Sequence, residues 1–142
     1  MIKYLGTKIV EAEYYEQCRF GHDEHGNVLL GPAGYIVKYP DGYESWSPKK
    51  VFEEAYRPIN GLTFGLAIEA LKKGHKVARK GWNGNGIFIE LQVPDTHSKM
   101  TQPYMFIDTL GLQTNNPNAP KGRVPWLASQ TDTLAEDWQI VE

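Results

Sequence analysis

The chain has 142 residues, 41% of them apolar and 23% charged, which suits one compact domain and excludes a disordered or fibrous protein. Fifteen Lys and Arg stand against seventeen Asp and Glu, a net charge of −2, and this near balance argues against long nucleic acid as a partner. Apolar runs such as Ile87-Phe88-Ile89 are far too short for a membrane span, no secretory leader is read at the start, and the lone Cys18 fits a reducing cytosol.

In chain order, the pattern predicts an opening strand near residues 7–14. A glycine-rich loop follows over 16–34. Tyr35-Ile36-Val37-Lys38-Tyr39, the turn Pro40-Asp41-Gly42 and Tyr43-Glu44-Ser45-Trp46 then read as a hairpin. Ser47 and Pro48 suit the cap and first position of a helix whose apolar face is Val51, Phe52, Ala55 and Tyr56, with Pro58 as its stop. Thr63 caps a second helix, with Phe64, Ala67, Ile68 and Leu71 as its stripe and Gly74 as its end. Strands are expected at 76–79, at 87–93 and at 104–107, the first two joined by the turn Gly81-Trp82-Asn83-Gly84-Asn85-Gly86. A long Asn- and Pro-containing loop fills 112–122, and Arg123 to Trp126 is extended. Ser129 or Thr131 caps a helix to about Glu136, and Trp138 to Val141 closes as a strand. The fold class expected is α+β: a mainly antiparallel sheet with two to three short helices. It forms one folding unit built of an N-terminal module (1–60) and a C-terminal one (61–142).

Catalytic motifs are missing from the sequence: there is no GxxxxGK[ST], GxSxG or HExxH, and the glycine turn lacks GxGxxG spacing. Cys18, His22 and His25 give three potential zinc ligands, a fourth would have to be Asp23 or Glu24, and they read as solvated loop residues, so no metal is expected. Glu53-Glu54 and Glu136-Asp137 are helix neighbours that point apart. No catalytic residue and no cofactor is assigned.

The positive signal is aromatic residues beside arginine. Seventeen of 142 residues are Tyr, Phe or Trp. Arg57 follows Tyr56, Arg79 and Lys80 precede Trp82, and Arg123 precedes Trp126. Indole faces stack on bases, and guanidinium forks pair with phosphate oxygens. Trp46, Trp126 and Trp138 read as core. Trp82, in a Gly/Asn turn, is open to a ligand or to a subunit contact.

The stretches Leu62 to Gly74, Val77 to Gly84, Val124 to Asp132 and Leu134 to Trp138 resemble the Thoeris anti-defense 1 family of phage proteins. Gly42 to Lys49 and Phe52 to Arg57 resemble a phage module found ahead of it. The resemblance implies a sponge acting in the cytoplasm of the infected bacterium. Such a protein binds cyclic ADP-ribose isomers of Thoeris immunity, and in some members the cyclic di- and trinucleotides of CBASS immunity, without cleaving them. It also implies a homo-oligomer, a dimer or a hexamer made as a trimer of dimers, with pockets at subunit interfaces. Carried onto this chain, Trp82 stacks, Arg57 and Arg123 hold pyrophosphate, and Asn83, Gln92 and Asp132 make polar contacts to base or ribose. The rival classes are an enzyme degrading the same signal through His75 or His97, and an interaction module without a small ligand.

Overall fold

A computed structural model describes every residue except Asn83, and of Phe20 it describes the backbone alone. The chain forms two compact units, Met1–Arg57 and Pro58–Glu142. Among the described residues all strand pairings are antiparallel, and with three short helices the class is α+β. Among the described residues no helix is long and apolar enough to cross a membrane.

In the first unit, β1 (Glu11–Tyr15), β4 (Gly34–Lys38) and β5 (Glu44–Pro48) form a sheet in the order β1-β4-β5. The expected hairpin turn is present. Tyr39 and Tyr43 pair across it, Asp41 Oδ1 accepts from the Tyr43 N–H at 3.0 Å, and Gly42 takes φ +86°. The expected loop at 16–34 instead contains a second hairpin, β2 (Arg19–His22) and β3 (Val28–Leu30). Asp23 organises its turn by accepting from the His25 and Asn27 N–H groups, both at 2.9 Å. Gly26 serves its tip and Gly31 follows β3, while Gly21 lies inside β2 with φ +134° where the register shifts. Helix α1 (Lys49–Ala55) starts after Pro48, not at it. Ser47 and Pro48 are the last residues of β5, paired with Tyr35 and Gly34, and no side chain caps the helix. The helix is held by an aromatic stack: Phe52 lies 4.1 Å from Tyr35 and 4.8 Å from Tyr56, and Tyr14 lies 5.3 Å from Tyr35.

The second unit is a five-stranded sheet with the order β10-β6-β7-β8-β9. Its strands are β6 (Lys76–Arg79), β7 (Phe88–Gln92), β8 (Tyr104–Asp108), β9 (Arg123–Pro125) and β10 (Trp138–Val141). Helix α2 (Phe64–Lys72) covers one face. Its Thr63 cap accepts from the Leu66 N–H, and Gly74 with φ +90° ends it. The core on that face is Leu62, Ala67, Ala70, Leu71, Val77, Ile89 and Trp138. Period-2 alternation along the paired strands places Ile107 and Val124 on this face, and Lys76, Phe88, Glu90, Gln92, Phe106, Asp108 and Arg123 on the other. Leu62 and Ile59 bond the outer edge of β10, which protects that edge. Helix α3 (Gln130–Leu134) ends two residues earlier than expected, because the chain turns extended at Ala135 to enter β10.

Candidate functional site

Trp82 leaves the end of β6 and packs on the α2 side of the sheet. Its ring meets Trp138 at 5.5 Å and Trp126 at 6.1 Å, both edge-on, and Phe64 lies 5.5 Å from Trp138. Trp138 is fully enclosed, at 0% exposure, whereas Trp82 and Trp126 are half-buried. Such edge-to-face contacts fix ring orientation as well as burying area. Trp82 therefore presents part of an indole to solvent from a rigid aromatic base.

An ion cluster adjoins this aromatic group. Arg79 donates from Nε to Asp137 Oδ1 and from Nη1 to Asp132 Oδ1, each at 2.9 Å. Asp137 Oδ2 accepts from the Gly81 N–H at 3.0 Å. Asp132 is the third residue of α3 and completes a capping box with Ser129: its Oδ2 accepts from the Ser129 N–H at 3.0 Å and the Ser129 hydroxyl at 2.7 Å. The Trp82 side chain lies beside the Asp132 carboxylate and favours its charged form, and the Asp132 carbonyl accepts from Trp138 Nε1 at 2.9 Å. Both Asp132 oxygens are thus engaged within the fold. Its burial favours the neutral acid, but the bonds from Ser129 and Arg79 outweigh it and hold the carboxyl below its ordinary value. Arg79, then the Gly81 N–H, lower Asp137 likewise, with burial opposing.

Arg123 stands elsewhere. It is paired with Asp108 across β8 and β9, and its Nε donates to Asp108 Oδ2 at 2.7 Å. The guanidinium is 62% exposed while its partner carboxylate is 4% exposed, so a buried acid anchors an outward fork. The Arg123 bond, then the Leu110 N–H at 2.9 Å, lowers the Asp108 carboxyl, with burial opposing. Arg123 lies on the sheet face opposite the tryptophans, three strands from β6 and so about 14 Å across the sheet.

Of the residues expected at a site, the structure brings Trp82 and Asp132 together and leaves Arg123 on the opposite face. Gln92 ends β7 at the far end of the sheet from Trp82, its amide donating to the Val93 carbonyl at 3.4 Å. Arg57 closes the first unit, just past α1, and Asn83 lies outside the described residues. His75, before β6, and His97, in the β7–β8 connection, are both at the Gln92 end. Among the described residues no group of three or more His, Cys, Asp or Glu is placed to hold a metal. The residues that sequence reasoning left out of the site are Arg79, Ser129, Asp137 and Asp108. The Ser129-x-x-Asp132 spacing carried a local signal for Ser129, Arg79 was marked as a cation ahead of Trp82, and nothing local marked Asp137 or Asp108.

Residues 62–141 match the Tad2-like family, described as the Thoeris anti-defense 2-like domain. The chain is also 37% identical over 89 aligned residues to Thoeris anti-defense 2 of Bacillus phage SP01, covering 56% of this chain and 94% of that protein. This corrects the resemblance to the anti-defense 1 family. The stretches from Leu62 to Gly74, Val77 to Gly84 and Val124 to Trp138 fall inside the matched residues. They mark a capped helix, a glycine turn and a capping box, local features that do not separate one anti-defense family from another. With more than half its length matched, the chain belongs to the Thoeris anti-defense 2-like family.

Proposed function

We propose that this protein counters bacterial immunity during phage infection by binding a cyclic nucleotide signal and holding it intact. It acts in the cytoplasm of the infected host, on cyclic ADP-ribose isomers and on cyclic di- or trinucleotides of CBASS immunity. The observation that carries it is Trp82, a half-buried indole fixed against two other tryptophans within a domain of an anti-defense family. A base or a second ring stacked on such a surface gains about 1–3 kcal/mol. Arg123, with its exposed fork, and Arg57 supply charge for phosphate. Gln92 and Asn83 are polar donors for base or ribose, and Asp132 acts by supporting Trp82.

Trp82 and Arg123 occupy opposite faces of one sheet, so a pocket that uses both draws them from two copies. A homo-oligomer with interface pockets follows, and the dimer and the hexamer are the assemblies to test. Exposed Leu127, Leu134, Val124 and Val93 in the same unit favour such association. No catalytic base is needed, and His75 and His97 lie at the end of the sheet away from Trp82. Sequestration demands tight binding, since each pocket removes one molecule. A nanomolar Kd corresponds to about −12 kcal/mol, which an enclosed pocket can reach.

The test is incubation of the protein with cyclic ADP-ribose isomers and cyclic di- and trinucleotides, followed by chromatography of the free nucleotide before and after heating. Loss followed by recovery of the intact compound is the expected result. Recovery of a linear product would make the protein an enzyme. A panel that never leaves solution would leave an interaction module. Light scattering on the same sample gives the assembly.

A further inference from the structure

The ladder between β6 and β10 already ties those strands from Lys76 to Arg79 and from Trp138 to Val141. The Lys80–Asp137 contact continues that ladder by one rung, and the side chains of Arg79 and Asp137 add bonds outside it. Asp137 accepts from the Gly81 N–H through its side chain and from the Lys80 N–H through its carbonyl, at 3.0 and 3.1 Å. The Arg79 carbonyl accepts from the Trp82 N–H at 3.4 Å. Arg79 then bridges Asp137 to Asp132, and Asp132 meets the Trp82 side chain. Gly81 permits this closeness, because a Cβ there would stand 3.1 Å from Asp137 Oδ2. The Asp137 bond to Gly81 and the Arg79 bond to Asp132 therefore bear on the turn that carries the indole, while the Arg79 bond to Asp137 ties β6 to β10. A latch meant only to join β6 to β10 would have no use for the Gly81 contact or for the reach of Arg79 to Asp132.

We infer that Arg79 and Asp137 are positioning residues of the binding site: with Asp132 they clamp the Gly81-Trp82 turn and set the indole in the orientation that receives a planar ring. Arg79 does so as a fork, using two different nitrogens on two carboxylates, a geometry that a lysine ammonium cannot copy. The inference rests on the reading of Trp82 as the stacking residue, and it assigns Arg79 a role through Trp82, not on the nucleotide phosphates.

The test uses the full chain labelled with 5-fluorotryptophan, so that fluorine NMR resolves Trp46, Trp82, Trp126 and Trp138, and Trp82→Phe identifies the Trp82 signal. Arg79→Lys is expected to shift or broaden the Trp82 resonance while the Trp46 resonance stays in place. It is also expected to weaken binding of the cyclic ADP-ribose isomer that the wild type retains by about tenfold, the size of loss usual when the support of a site residue is removed. In the Trp82→Phe background, Arg79→Lys should cost no further affinity, because the two residues act as one unit. Equal losses in both backgrounds would overturn the inference, as would a Trp82 resonance that does not move. If Arg79→Lys fails to fold, Asp137→Asn is read by the same two measurements. If the wild type binds no member of the panel, the functional reading fails on its own. The NMR arm still decides the clamp: a moved Trp82 signal supports it and an unmoved one sinks it.

Discussion

Arg123 and Asp108 show how one residue pair divides its work. The acid is buried and the base is not, so the pair is neither an ordinary surface bridge nor a sealed one. Nε is committed to Asp108, which leaves the outer edge of the guanidinium for a phosphate. Replacing Arg123 by Lys keeps a positive charge and removes the fork. Affinity for the retained nucleotide should fall about tenfold or more, with the circular dichroism spectrum unchanged. An unchanged affinity would remove Arg123 from the site. The same pair bears on pH. Asp108, Asp132 and Asp137 all titrate below their ordinary value in the folded chain, chiefly through bonds from Arg123, Ser129 and Arg79. A depressed folded value means stabilisation that is complete above the unfolded carboxylate value of about 3.9 and lost as pH drops through the folded values. The melting temperature should therefore be flat from neutral pH to about 5 and fall below about 4. Asp108→Asn should lower the neutral plateau and make the acid fall shallower. A melting temperature that rose on acidification would contradict the assignment.

Elements differ in how much of them local sequence declares. The α2 helix was legible from Thr63, its apolar stripe and Gly74, because cap, period and stop all agree. The β4–β5 hairpin was legible from Asp41-Gly42 for the same reason. The β2–β3 hairpin was hidden, since glycines at its tip, just past β3 and inside β2 resemble loop chemistry and its strands are only four and three residues long. The start of α1 was misplaced because Ser47-Pro48 fits a helix cap and a strand end equally well, and pairing with Tyr35 and Gly34 decides for the strand. At the site, Trp82 stood out by its turn. Asp137 lies 58 residues from Arg79 and no spacing could join them before the sheet did. Gly34 is a direct test of the pairing that decided α1. A Cβ at Gly34 would strike the Ser47 carbonyl oxygen and stand 2.5 Å from Trp46 Cζ2. Gly34→Ala should destabilise the first unit by on the order of 3 kcal/mol, read as a lower denaturant midpoint. Unchanged stability would mean that the β4–β5 register is looser than described.

At the scale of the molecule, the family match and the core coincide. The matched residues, 62–141, contain every member of the tryptophan and leucine core and the whole Arg79 cluster. The phage SP01 relative is covered over 94% of its length by the part of this chain that aligns with it. The second unit also has its own five-stranded sheet, a helix over its core face and a protected β10 edge. A fragment from Pro58 to Glu142 should then fold cooperatively, with a single thermal transition, and retain the nucleotide that the full chain retains. A domain of this length buries a smaller fraction of its surface than a larger one and is correspondingly less stable. Its melting temperature should rise on adding that nucleotide, since binding to the folded form alone shifts unfolding by mass action. A fragment that folds but no longer retains the nucleotide would place part of the site in the first unit, with Arg57 as the first residue to replace. A fragment that does not fold would show that residues 1–57 contribute stability that the core of the second unit cannot supply alone.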